Sequence, residues 1–330
     1  MAIDSTARKV LWARSSDLCA FPQCNQQLTA NLHDEGSRTL EAAGVPLGEE
    51  AHIISGRTGG PRFDSSYPKG KIDTYENLIL LCPTHHTLID KKNGIGYSVE
   101  TLRQMKADHE TAQNSRKTPQ EKRFEEIEIR TVALVESWAQ RAELAEWQRL
   151  TWKLNVPIPR LKGPEIDRLT EQAEWLLTRN WPAQYPEVKR AFDNYGIILR
   201  DLIYHIRSCM EPLDNRDDVW EVYREYKHRL MTQTEYDAAL AGFQYNCDIL
   251  YELSLELTKS ANFTCDAVRL ELDPLFRFDE GILPHRVGDG VFVNNFSREE
   301  YDREEKARAH PYAGLDAVIE KVKRQGGASR

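Results

Sequence analysis

The chain has 330 residues, 29% of them charged, and a formal net charge of -8. That length suits two domains, and the acidic balance excludes a nucleic-acid binder held by bulk positive charge. It does not exclude a protein that meets phosphate groups locally, through a divalent cation and a few Arg and Lys.

Taken in chain order, Thr6 to Ser15 reads as a short helix with Val10, Leu11 and Trp12 as its apolar face. "DLCAFPQCNQQL" follows as a turn closed by Cys19 and Cys24. "EEAHIIS" is a strand candidate in which Ala51, Ile53 and Ile54 flank His52. A Gly-rich polar loop runs from Ser55 to Asp73, and "NLILLC" is a second short apolar run. Pro83 and Thr84 then open the helix turns of "HHTLIDKKN". Ser98 is placed to cap "SVETLRQMKADHETAQ", with Glu100 in the first turn, where negative charge suits a helix start.

The polar, proline-bearing stretch "NSRKTPQEK" marks a composition shift. We therefore expect a first domain over 1–115, a linker over 116–122 and a second domain over 123–330. Beyond the linker, apolar residues recur at helical spacing through "EKRFEEIEIRTVALVESWAQRAELAEWQRLTWKL", "YPEVKRAFDNYGIILRDLIYHIRSCM", "DVWEVYREYKHRLM" and "TEYDAALAGFQYNCDILYELSLELTKS". From about Arg269 the pattern is less regular, before a last helix around Ala317 to Lys323. The tryptophans of this half, and the pair His205 and Cys209 at i and i+4, read as core.

No apolar stretch approaches the roughly 20 residues that span a bilayer. The opening "MAIDSTARKVLWARS" lacks the apolar core and cleavage site of a signal peptide, so a cytoplasmic protein is expected. The six cysteines do not make a disulfide framework, because Cys19, Cys24 and Cys82 are bunched with histidines. Four residues separate Cys19 from Cys24, two separate Cys82 from His85, and nearly sixty lie between the pairs. Two such loops can converge on one tetrahedral Zn²⁺, with His86 as competitor to His85 for the fourth position.

Hydrolysing a phosphodiester needs an activated water, a cation on the phosphate and neutralisation of the leaving oxygen. His52 can take the water's proton as general base. Asn77 can hold the base or its loop in orientation. His86 and Asp90 share a helix face at i and i+4 and can hold one divalent cation, Mg²⁺ or Mn²⁺. Arg57, Arg62, Lys69 and Lys71 lie in the loop between His52 and Asn77 as candidate phosphate contacts, Arg62 foremost because Pro61 stiffens its neighbourhood.

The string "CAFPQC…EEAHIIS…GPR…ENLILLCPTHHTLID…LRQMKADHE" closely resembles HNH endonuclease domains with an Ala-His-Ile first motif, over about the first 112 residues. The resemblance implies an α+β chain: a small N-terminal ββα-metal domain with structural zinc, then a larger, mostly α-helical domain. It implies His52 as base, Asn77 as the motif asparagine, His86 as metal-binding histidine, and Cys82 with His85 as half of the zinc site. Ala51 stands where many such nucleases carry a metal-binding Asp, so Asp90 and then Glu50 are the replacement ligands offered. The expected function is metal-dependent DNA cleavage with weak sequence specificity in an anti-phage or anti-plasmid defence effector. The helical half would serve oligomerisation, trigger sensing or a second protein subunit, with a homo-oligomer favoured. The alternatives are a non-catalytic zinc-stapled partner-binding module and a nuclease acting on RNA.

Overall fold

The computed structural model describes residues 3, 5–31, 44–213, 218–287 and 295–328. Packing divides the chain into two units, Met1–Leu134 and Val135–Arg330.

In the first unit, α1 (Ser5–Ser15) leads to the short pair β1 (Thr29–Asn31) and β2 (Gly44–Pro46). Then β3 (Glu49–His52) and β4 (Leu78–Leu81) form an antiparallel pair with Glu49 opposite Leu81 and His52 opposite Leu78. All four residues of β4 are buried. A strand covered on both faces carries a continuous apolar run, which is why "LILL" lacks alternation. Leu11 of α1, Ile89 of α2 (Pro83–Asp90) and Leu102 of α3 (Val99–Arg116) close the same core. Pro83 opens α2 at its first position, where a missing N–H costs nothing. Ser98 caps α3, its hydroxyl accepting from the Thr101 backbone N–H at 3.1 Å. The segment 116–122 holds the end of α3 and the start of α4 (Pro119–Arg141), while the division between units falls at Leu134.

The second unit is built on α5 (Trp147–Leu154), α6 (Gly163–Leu177), α7 (Pro186–Cys209) and the 39-residue α8 (Gln233–Glu271). A small sheet accompanies them, ordered β5 (Arg160–Lys162), β7 (Val219–Val222), β6 (Met210–Pro212). The hairpin β8 (Pro284–Val287) and β9 (Asn295–Arg298), the short α9 (Arg303–Lys306) and α10 (Leu315–Ala328) complete it.

Two helical expectations are corrected. The long amphipathic run ends at Arg141 because Glu143 adopts φ 49°, and a new helix begins at Trp147. "DVWEVYREYKHRLM" is not a helix: its start is β7, where Val and Trp pair across a sheet better than they pack in a helix. His205 and Cys209 are both buried. Among the described residues they join no group of three or more metal-ligating side chains. Trp138, Trp147 and Trp181 are core, whereas Trp152 is 42% exposed.

His285 on β8 is fully buried, with Nε2 2.8 Å from the Ser254 hydroxyl and no hydrogen-bond partner on Nδ1 among the described residues. Burial holds its pKa down to about 4. The unfolded chain, with an ordinary imidazole near ~6.5, therefore binds the proton first. This group's contribution to stability is whole above that value and is lost as the pH falls towards about 4. A shift of this size corresponds to about 3 kcal/mol. Urea unfolding followed at pH 7 and pH 4.5 is expected to show a smaller pH dependence in His285→Gln than in the wild type.

Candidate active site

Cys19 and Cys24 sit in a tight turn after α1, joined to the strand pair by the Ala20 N–H donating to the Leu80 carbonyl at 2.9 Å. Cys82 follows β4 directly and sits at the N-cap of α2, and His85 lies in that helix's first turn. The donor atoms of Cys19, Cys24, Cys82 and His85 all lie within 4.8 Å of one another. His85 Nδ1 is 3.2 Å from Cys82 Sγ and 3.5 Å from Cys19 Sγ, and the Cys82 N–H donates to Cys19 Sγ at 3.3 Å. Donors around a tetrahedral zinc stand roughly 3.5–3.8 Å apart, given bonds of ~2.3 Å to sulfur and ~2.0 Å to nitrogen. The set therefore fits one metal ion. Burial pushes the metal-free Cys19 thiol up to about 12, and a bound metal reverses that preference by taking the thiolate. Phe21 stacks on the His85 ring with centroids 4.0 Å apart and fixes its plane.

Successive helix residues point about 100° apart, so His86 turns away from the sulfurs and faces two carboxylates. Its Nδ1 is 2.6 Å from Glu49 Oε2 and its Nε2 is 3.4 Å from Asp90 Oδ2. An imidazole so placed can bind a cation through one nitrogen while the carboxylate on the other fixes its tautomer. Among the described residues, only the cysteine site brings three or more ligand atoms together. A cation at His86 would thus take two side chains and leave positions for water and phosphate.

Asn77 is buried and clasps both ends of the long loop. Its side-chain N–H₂ donates to the carbonyls of Ile54 and Ile72, each at 2.9 Å, and its Oδ1 accepts from the Ile54 N–H at 3.0 Å. The loop ends pack so closely that a Cβ on Gly56 would stand 2.8 Å from Ile72 Cγ2. This closure brings Asp73 against His52, with Oδ1 2.9 Å from Nε2.

Arg62 departs from the expectation of a phosphate contact. Its side chain is only 6% exposed. Nε donates to the Ile53 carbonyl at 2.7 Å and Nη1 to the Ile89 carbonyl at 2.9 Å. Nη2 donates to Asp90 Oδ1 at 2.6 Å and to the His52 carbonyl at 3.2 Å. With four of its five N–H donors engaged and its side chain buried, the guanidinium is spent on the protein's own acceptors and not presented to a phosphate. The residue adopts φ 52°, and Gly94 lies so close that a Cβ there would meet Nη1 at 2.5 Å. Arg57, Lys69 and Lys71 are exposed on the same loop.

Residues 19–93, which carry all of these groups, match the family model described as HNH endonuclease. They are an HNH endonuclease domain. No characterised protein matches the chain.

Within the HNH domain the structure brings His86 and Asp90 together, and separately His85 with the three cysteines, so His86 does not compete for the sulfur site. Glu50 is corrected as a ligand: its Oε1 accepts from the Trp12 indole N–H at 2.7 Å and pairs with Arg8 at 3.1 Å, on the side covered by α1. Glu49 and Asp73 were missed. Pairing "EEAH" against "LILL" in register sets Glu49 opposite Leu81, next to the start of α2, and that signal points to Glu49. Nothing local in "GKIDTYEN" marks Asp73, because loop closure alone brings it to His52.

Proposed function

We propose that the HNH domain hydrolyses phosphodiester bonds of DNA, with water as nucleophile and little sequence preference. The reading is carried by a single guanidinium nitrogen, Arg62 Nη2, which bonds both the His52 carbonyl and the Asp90 carboxylate. The strand bearing the base is thereby tied to the helix bearing the cation ligands. Ala51 is buried in the core, and Glu49 on the same strand supplies a carboxylate to His86 instead. That favours a working site over the non-catalytic module.

His52 accepts a proton from water as it attacks phosphorus, and the bond from phosphorus to the leaving oxygen breaks. His86 and Asp90, with Glu49 steadying the ring through Nδ1, would hold Mg²⁺ or Mn²⁺. A divalent cation held there supplies Lewis-acid stabilisation of charge on the phosphate and the leaving oxygen. The exposed Arg57, Lys69 and Lys71 are the cationic groups offered to the backbone. Cys19, Cys24, Cys82 and His85 would hold structural Zn²⁺.

We assign the larger unit to restraint, through oligomerisation, a protein partner or a trigger, since unrestrained cutting would damage the host's own DNA. A cytoplasmic effector of defence against phage or plasmids is the role that this logic supports, and cutting both strands with one site favours a dimer. Purified protein with Mg²⁺ or Mn²⁺ is expected to cleave plasmid DNA, with activity abolished by EDTA and reduced at least ~10²-fold in His52→Ala. Preferential cleavage of a matched RNA would redirect the substrate. Equal cleavage by wild type and His52→Ala would overturn the base assignment.

A further inference from the structure

His52 is held from one side by Asp73, and this contact is made by the fold and not by sequence proximity. The two are 21 positions apart, and Asn77, bonded to both Ile54 and Ile72, closes the loop so that they meet. Asp73 Oδ1 lies 2.9 Å from His52 Nε2, with the imidazole 35% and the carboxylate 21% exposed. An ionised carboxylate only accepts hydrogen bonds, so the neutral ring facing it carries its proton on Nε2. The lone pair is then on Nδ1, for which the described residues supply no hydrogen-bond partner.

We propose that Asp73 is a positioning residue of the nuclease site: it fixes His52 as the Nε2–H tautomer and makes Nδ1 the atom that takes the water's proton. This rests on the reading of His52 as general base. In the step, water gives its proton to Nδ1, its oxygen bonds to phosphorus, and the bond from phosphorus to the leaving oxygen breaks. Asp73 keeps its hydrogen bond throughout and faces the imidazolium that forms. It neither touches substrate nor becomes protonated, in the manner of the carboxylate of a serine-protease triad.

The test is the tautomer, read from the full-length protein with ¹⁵N-labelled histidine at a pH where the ring is neutral, the His52 signal being assigned by its loss in His52→Ala. Wild type is expected to show protonated Nε2 and bare Nδ1. In Asp73→Ala the two tautomers mix, kcat for plasmid cleavage falls by about 10- to 100-fold with KM nearly unchanged, and Asp73→Glu restores part of the loss. A bare Nε2 in the wild type overturns the proposal without any variant. So does an unchanged tautomer and kcat in Asp73→Ala while His52→Ala is inactive. Cleavage by His52→Ala at the wild-type rate instead removes the base reading and leaves the tautomer result to stand on its own.

Discussion

Arg62→Ala is expected to abolish cleavage and to destabilise the HNH domain by about 2–4 kcal/mol, because it leaves a half-buried carboxylate and three backbone carbonyls without their donor. The substitution strips donors from the carbonyls of His52, Ile53 and Ile89 and from Asp90 Oδ1. Each buried acceptor left bare costs about 1–3 kcal/mol. Arg62→Lys separates stability from geometry. An ammonium can pair with Asp90 but cannot span three carbonyls in one plane, because it lacks the guanidinium fork. Arg62→Lys should therefore recover part of the stability while cleavage stays at least ~10²-fold down, as expected when reacting groups drift by about 1 Å. Thermal unfolding and plasmid cleavage on the same samples check this. Full activity in Arg62→Lys would show that the bracket does not position the site.

The second large effect is expected at the sulfur cluster. Cys82→Ala removes one of four donors and alters the residue that caps α2, the helix that also carries His85, His86 and Asp90. Structural zinc contributes on the order of 10 kcal/mol in small folds, comparable with the whole stability of a domain of this size. The wild type is expected to carry one zinc per chain by elemental analysis, and Cys82→Ala to carry none and to lose cleavage even with added Mg²⁺. Calorimetry should show the transition of the first unit lost while the transition of the second persists, since the second unit has its own core around Trp138, Phe192 and Tyr195. Wild-type metal content in Cys82→Ala would remove Cys82 from the ligand set.

Much of this site is legible in the sequence. His85 and His86 are adjacent on a helix, so only one of them can face the cysteines, and the spacing to Cys82 already favoured His85. His86 and Asp90 share a helix face by their separation of four. The strand pair was legible from two short apolar runs, and Ser98 from its position before an apolar-periodic stretch. The errors fall where a side chain's direction depends on something distant. Glu50 lies two residues from His52 and so shares its strand face, yet α1 covers that side and supplies Arg8 and Trp12 to Glu50. Arg62 in a polar loop reads as a cationic contact, because local composition does not reveal that the loop folds back beneath α2.

The sequence alone determined the donor chemistry and the local frame: thiolates and imidazoles in two bracketing pairs, a base candidate on a strand, and a cation pair on a helix. These follow from residue type and from periodicities of a few residues, which act locally. Tertiary structure decided which carboxylate serves which imidazole. Glu49 meets His86 because of strand register, Asp73 meets His52 because Asn77 closes a loop, and Arg62 turns inward because three carbonyls and Asp90 converge on it. Each of these depends on two or more segments far apart in the chain, and only their packing brings the partners within hydrogen-bond distance.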